Sequence, residues 1–122
     1  MAMRLPAIRV GVVDDIAPGT ALLIPGDTNG TGADIAVFND AGRFHALDDE
    51  CTHGAASLSD GWIEDGAVEC PAHGARFSLC TGKVLALPAT RPVRTHRIER
   101  RGYEVWLHPG TPSDCEEVTE PE

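Results

Sequence analysis

The stretch "CTHGAASLSDGWIEDGAVECPAHGARF", residues 51–77, decides how this chain is interpreted. It begins with Cys51 and His53, and after sixteen intervening residues it presents a second pair, Cys70 and His73. Thiolate sulfur and imidazole nitrogen are the ligands that proteins use for zinc and, in some iron–sulfur centres, for iron. The stretch therefore predicts a metal site to which two loops each contribute one sulfur and one nitrogen.

The order of the four candidate ligands separates the two kinds of metal site. Zinc fingers take both cysteines from one turn and both histidines from one helix. Here each loop carries one Cys and one His, which fits a cluster in which two histidines replace two cysteines on one iron. A zinc-binding interaction module stays open as an alternative on ligand chemistry, and such a protein would be colourless.

Short runs rich in Val, Ile, Leu and aromatic residues follow one another along the chain, and turn signals such as "GDTNGTG", "NDAG", Asp65-Gly66 and "CTGK" separate them. The runs are "IRVGVV", "ALLIP", "ADIAVF", "RFHAL", "GWIE", "AVEC", "ARFSL", "KVLAL", "VRTHRI" and "YEVWL". Ten short strands at this spacing predict an all-β fold of antiparallel sheets, packed as a sandwich or a small barrel.

Composition and charge narrow the class of protein. A length of 122 residues predicts one domain, and a net charge of -9 argues against nucleic acid or an anionic membrane as the partner. The first residues, "MAMRLPAIRV", lack the pattern of a signal peptide, and no run approaches eighteen apolar residues. We therefore expect a soluble cytoplasmic protein, in which cysteines serve as ligands or as unpaired thiols.

The strand pattern stops after Leu107, and the final residues contain three prolines and five acidic side chains. This composition predicts a domain over 1–108 and an acidic, frayed tail over 109–122. We expect Cys80 to be an unpaired thiol and Cys115, on the tail, to be incidental. We also expect Trp62 to lie in the core rather than on a docking face. His45 is expected to pack or to lie at an edge, and His96 and His108 to face solvent.

The segment "CTH" followed by "CPAHGARF" resembles the Rieske signature. The wider run "CTHGAASLSDGWIEDGAVECPAHGARFSLCTGKVLALP" is similar to the ferredoxins of bacterial ring-hydroxylating dioxygenases, of the naphthalene dioxygenase type. The resemblance implies a Rieske fold, in which an antiparallel β sandwich carries a small inserted cluster-binding β subdomain, at about 49–87. It implies one 2Fe-2S cluster, with Cys51 and Cys70 on the inner iron and His53 and His73 on the outer iron.

The same resemblance implies a function. The chain would be a one-electron carrier and not an enzyme, taking electrons from a flavin-dependent NAD(P)H reductase and passing them to a terminal aromatic-ring-hydroxylating oxygenase by transient docking. No Gly-rich nucleotide fingerprint is present, and the remaining histidines do not form a two-histidine, one-carboxylate iron motif, so neither a built-in reductase nor an oxygenase is expected. A Rieske-like small subunit of a nitrite reductase remains the alternative.

Departures from other branches of the family carry expectations of their own. Respiratory Rieske proteins have a second cysteine in each cluster loop, where this chain has Ala56 and Ala72, so a disulfide between the loops is not expected. Those proteins also direct a Ser and a Tyr hydroxyl at the cluster, where this chain has Ala75 and Phe77. The resemblance therefore implies a cluster of the lower-potential ferredoxin branch.

Overall fold

Ten short strands account for most of the regular structure in the computed structural model, which describes residues 5–52, 56–72, 74–87 and 89–115. The strands are β1 Ile8–Val12, β2 Ala21–Ile24, β3 Ile35–Asp40, β4 Arg43–Asp48, β5 Trp62–Glu64, β6 Ala67–Glu69, β7 Arg76–Ser78, β8 Val84–Ala86, β9 Thr95–Arg101 and β10 Glu104–His108. Each of the ten apolar runs in the sequence overlaps one of them, and the all-β prediction is confirmed. A four-residue helix, α1, spans Gly26–Asn29, and 3-10 turns span Val13–Asp15 and Leu58–Asp60.

The strands form two antiparallel sheets. The larger has the order β1-β10-β9-β4-β3-β2 and the smaller the order β5-β6-β7-β8. In the larger sheet β4 and β9 are direct neighbours, with Ala46 opposite His96 and Leu47 opposite Thr95. Because every strand of the smaller sheet lies between β4 and β9 in the sequence, the smaller sheet is an insertion at that junction.

Strand β3 separates the two apolar cores. Ile35 and Val37 pack in one core with side chains of β10, whereas Ala36 and Phe38 pack in the other with side chains of the smaller sheet. Successive side chains of a strand point to opposite faces, so the four consecutive apolar residues at 35–38 can serve two cores. This arrangement fixes the inserted sheet against the larger one.

The hairpin of β5 and β6 sets the spacing between the two candidate ligand loops. Asp65 and Gly66 both have positive φ, 51° and 78°, as a two-residue type I′ turn requires. The turn pairs Trp62 with Glu69, and Cys70 follows directly after β6. The start of β5, which follows the first loop, is thereby brought beside the start of the second loop.

Three side-chain expectations are wrong. His96 is only 1% exposed, because β9 pairs with both β4 and β10 and this ring turns into the interior, where it has two hydrogen-bond partners. Trp62 is 63% exposed, because β5 is an edge strand that pairs only with β6. His108 is half-buried rather than solvent-facing, and it hydrogen-bonds Glu99.

The expected frayed tail is also wrong for its first part, residues 109–115. This segment contacts β9, and Cys115 forms a disulfide with Cys80. The expectation that Cys80 is an unpaired thiol is therefore wrong as well. Residues 116–122 lie outside the described residues. Within the described ranges, no helix is long and apolar enough to cross a membrane.

Candidate metal centre

The two candidate cysteine ligands lie in the same apolar core. Cys51 is 2% exposed and Cys70 is 1% exposed, and both pack in the cluster of buried side chains between the smaller sheet and β3. Ala75 and Phe77, both fully buried, belong to the same cluster. The structure thus places both thiols in a dry environment that water does not reach, as an iron–sulfur cluster requires of its inner ligands.

The backbone closes the two candidate loops in the same way. The Cys51 amide donates to the Ala56 carbonyl at 2.9 Å, and the Cys70 amide donates to the Ala75 carbonyl at 2.7 Å. Each cysteine therefore lies at the base of a six-residue loop. The two loops have equivalent bases, and both sequences contain a Cys followed by His-Gly-Ala, although the His comes two residues after the Cys in the first loop and three after it in the second.

A buried carboxylate supports the first loop. Asp49, 6% exposed, accepts hydrogen bonds from the Ser59 amide at 2.8 Å and from the Ser57 hydroxyl. Its own backbone carbonyl accepts from the Leu58 amide at 2.7 Å. Asp49 precedes the first loop and binds residues that follow it, so it connects the two ends of the loop.

A second carboxylate, Asp48, links the first loop to β9. The His96 Nδ1 accepts a hydrogen bond from the Gly110 amide at 2.9 Å, so its proton is on Nε2, which donates to Asp48 at 2.7 Å. Arg94 Nε also donates to Asp48, at 3.2 Å. Burial raises the pKa of Asp48, but the hydrogen bond from His96 and the charge of Arg94 outweigh it and lower the pKa overall.

The loop tips are only partly described. His53 and His73, the two proposed imidazole ligands, lie outside the described residues, as do Gly54 and Ala55. Within the described residues, no group of three or more His, Cys, Asp or Glu side chains is placed to hold a metal ion. The two buried thiols at equivalent loop bases fit the sulfur half of the donor set, and the ligand set as a whole stays a prediction.

Comparison with known proteins gives the class. A model of the Rieske [2Fe-2S] domain matches residues 7–97. The ferredoxin subunit of 3-phenylpropionate/cinnamic acid dioxygenase from Escherichia coli (strain K12) is 46% identical over 96 residues, covering 78% of this chain and 86% of that protein. The chain belongs to the Rieske [2Fe-2S] domain family. It is a ferredoxin-type member, an electron carrier rather than a catalyst, with one Rieske-type 2Fe-2S cluster.

Solved structures agree with this placement. A chain in the complex of reduced oxygenase and oxidized ferredoxin in carbazole 1,9a-dioxygenase matches with a TM-score of 0.78 and 34% identity, over 87% of this chain and 94% of that chain. A putative NADH-dependent nitrite reductase small subunit from Mycobacterium tuberculosis matches with a TM-score of 0.72, over 84% of this chain and 94% of that chain. At 21% identity, that second match shows a shared fold and nothing more.

Proposed function

We propose that this chain passes single electrons from a flavin-dependent NAD(P)H reductase to a terminal aromatic-ring-hydroxylating oxygenase. The observation that carries the proposal is the pair of equivalent loop bases with buried Cys51 and Cys70, in a chain 46% identical to a dioxygenase ferredoxin subunit. A structural match to a chain from an oxygenase–ferredoxin complex supports the oxygenase as partner. We place the protein in the cytoplasm, without a membrane partner.

The proposed ligands are Cys51 and Cys70 for the inner iron and His53 and His73 for the outer iron. When bound, the cluster supplies a one-electron couple with a potential above that of all-cysteine clusters. The chain supplies the conditions for it. Buried apolar side chains surround Cys51 and Cys70 and limit the access of water to their sulfur atoms. Ala75 and Phe77 belong to the same core and present no hydroxyl to it.

The proposed docking face surrounds the loops. Ala56, Ala72 and Gly74 are small and at least partly exposed, so a partner can approach the loop bases closely. Trp62 adds an exposed aromatic ring, and it pairs with Glu69, the residue before Cys70. The exposed Asp60 and Glu64 lie two residues before and after Trp62 in the sequence. An acidic rim with an aromatic centre suits a basic partner and a transient interface.

The decisive experiment determines the cofactor and its ligands together. The purified chain should be red-brown and contain two irons and two sulfides, whereas a zinc module would be colourless. His53→Cys and His73→Cys should each lower the midpoint potential, from the Rieske range of about -150 to +300 mV toward the value of about -400 mV for plant-type ferredoxins. The control is His45→Cys on β4, which should leave potential and spectrum unchanged. A potential that the His53 or His73 variant does not alter would remove that histidine from the ligand set.

The partners are tested separately. With the reductase, NADH and the oxygenase present, product should form only when this chain is added, and each histidine variant should slow turnover. Stable co-purification with a large nitrite reductase subunit would instead favour the structural-subunit alternative.

A further inference from the structure

The C-terminal segment 109–115, called here the strap, lies against the end of the larger sheet. Its backbone contacts β9 at two places: Thr111 accepts a hydrogen bond from the Arg97 amide at 2.8 Å, and the Ser113 amide donates to Thr95 Oγ1 at 3.0 Å. Asp114 forms an ion pair with Arg97 at 3.1 Å. The disulfide between Cys115 and Cys80, with a Cα–Cα distance of 5.4 Å, completes the attachment.

The strap is connected to the supports of both ligand loops. On one side, Cys80 lies in the turn after β7, the strand that begins one residue after Ala75 closes the second loop. On the other side, the Gly110 amide donates to the buried His96, which donates to Asp48, three residues before Cys51. A single segment is thus linked by a disulfide to the turn after the strand that follows one loop, and by hydrogen bonds to the residue three positions before the other loop.

The disulfide is placed where a thiol can reach it. Cys80 and Cys115 are both half-buried, whereas Cys51 and Cys70 are almost fully buried. A disulfide whose cysteines are only half-buried is more open to attack by a thiolate than a fully buried one, and accessible disulfides are the labile or regulatory ones. The Rieske domain model matches only as far as residue 97, so Cys115 and the strap lie beyond the matched region.

We propose that the Cys80–Cys115 disulfide is a thiol–disulfide exchange site for a dithiol reductant, and that its reduction releases the strap from β9. One thiolate of the dithiol attacks one sulfur of the bond and forms a mixed disulfide, which the second thiol then resolves. The protein disulfide gains two electrons and two protons, and the dithiol is oxidised to its own disulfide. The exchange does not depend on the proposed function, whereas the consequence for the ligand loops rests on it.

Release follows from the weakness of the remaining contacts. Asp114 is 70% exposed and Arg97 is 34% exposed at the side chain, and an ion pair so open to water stabilises little. Apart from the Gly110 amide, which donates to the buried His96, few hydrogen bonds hold the described residues of the strap, and a short terminal segment held in this way opens locally at low cost. The covalent bond is therefore the contact that decides whether the strap stays on β9.

The first experiment measures exchange at the two cysteines. The purified holoprotein is equilibrated anaerobically with mixtures of reduced and oxidised glutathione or with dithiothreitol, quenched in acid and differentially alkylated. Mass spectrometry of the peptides that carry Cys80 and Cys115 then gives their oxidation state. We expect reversible reduction of this pair in both reagents. A pair that stays oxidised in reduced glutathione and in dithiothreitol would overturn the proposal and identify an inert staple.

The second experiment measures release of the strap by hydrogen exchange. Reduction should make the hydrogen-bonded amides of Gly110, Thr111 and Ser113 exchange about tenfold faster, which corresponds to about 1.4 kcal/mol of opening free energy. Cys115→Ser should exchange at the fast rate with or without dithiothreitol, which controls for other effects of the reagent. Amides of β3 should not change. Slow exchange in both the reduced protein and Cys115→Ser would show that the disulfide does not hold the strap.

The third measurement tests the coupling to the loops. Loss of the visible absorption in the presence of an iron chelator should be faster in the reduced protein and in Cys115→Ser than in the oxidised protein. Equal rates would refute the coupling. A purified chain without iron and sulfide would refute the proposed function instead. The alkylation and hydrogen-exchange experiments would still test the exchange site in that case.

Discussion

Replacing His96 by alanine should destabilise the protein by about 2–3 kcal/mol, because the buried ring makes two hydrogen bonds. A hydrogen bond to a charged group contributes about 1.5–3 kcal/mol and one between neutral groups about 0.5–1.5 kcal/mol. The bond to Asp48 falls at the low end of the range for charged groups, because the Asp48 side chain is 24% exposed and keeps its contact with Arg94. The Gly110 amide loses its acceptor.

Two further variants separate the hydrogen bonds. The oxygen of His96→Asn can replace Nδ1 as the acceptor from Gly110, whereas the amide nitrogen of His96→Gln can replace Nε2 as the donor to Asp48. We therefore expect each to lose about half of the alanine effect. Hydrogen exchange at Gly110 should accelerate in His96→Gln and stay slow in His96→Asn.

The assay is urea unfolding at neutral pH, with the disulfide oxidised in every variant and the transition followed by circular dichroism. The pKa of Asp48 is lowered in the folded protein, so its contribution is complete above the unfolded pKa and is lost as the pH falls through the folded pKa. His96→Ala should weaken that acid dependence. A loss below about 0.5 kcal/mol for alanine, the range of neutral surface substitutions, would refute the bridging role of His96.

Three other variants or titrations test separate features. Cys115→Ser removes a disulfide that spans a sequence separation of 35 and should lower the free energy of unfolding by up to about 4 kcal/mol. Urea unfolding under equal redox conditions measures this loss, and an unchanged midpoint would contradict the prediction. Hydrogen bonds from Arg101 and His108 lower the pKa of Glu99 to about 2. The contribution of this carboxylate to stability should therefore be present above about pH 4.5 and be lost toward pH 2. Carbon-detected NMR of Glu99 would measure this titration. Ala75→Ser should raise the midpoint potential by some tens of millivolts, because the hydrogen bond from the new hydroxyl should strengthen by about 1 kcal/mol on reduction. Voltammetry measures the potential, and an unchanged value would mean that residue 75 does not face the cluster.

The strands could be predicted because each is set by local information. Short runs of apolar residues bounded by turn residues define β1 to β10, and the Asp65-Gly66 turn defines the hairpin between the loops. The loops themselves were recognisable because the Cys and His residues are close in sequence.

What the sequence could not predict depends on contacts between distant segments. The Cys80–Cys115 bond requires the chain to return after β10, and nothing near either cysteine indicates this. The burial of His96 depends on Asp48, from another strand, and on the backbone of residue 110. Trp62 was expected in the core because a tryptophan in a short hairpin is more often buried, but an edge position leaves its ring exposed.

The insertion of the smaller sheet between β4 and β9 has a consequence for the order of folding. Joining Leu47 to Thr95 closes a long loop, whereas strands β5 to β8 pair with neighbours through short turns. Because local contacts cost less chain entropy than distant ones, we expect the hairpin of β5 and β6 to form early and the β4–β9 seam to form late. In kinetic terms, Val68→Ala should slow refolding and Ala46→Gly should mainly accelerate unfolding, and the reverse pattern would contradict this order. A late seam leaves the interior of the inserted sheet accessible for longest, so the step that seals the two cysteines from water is also the step that completes the sandwich.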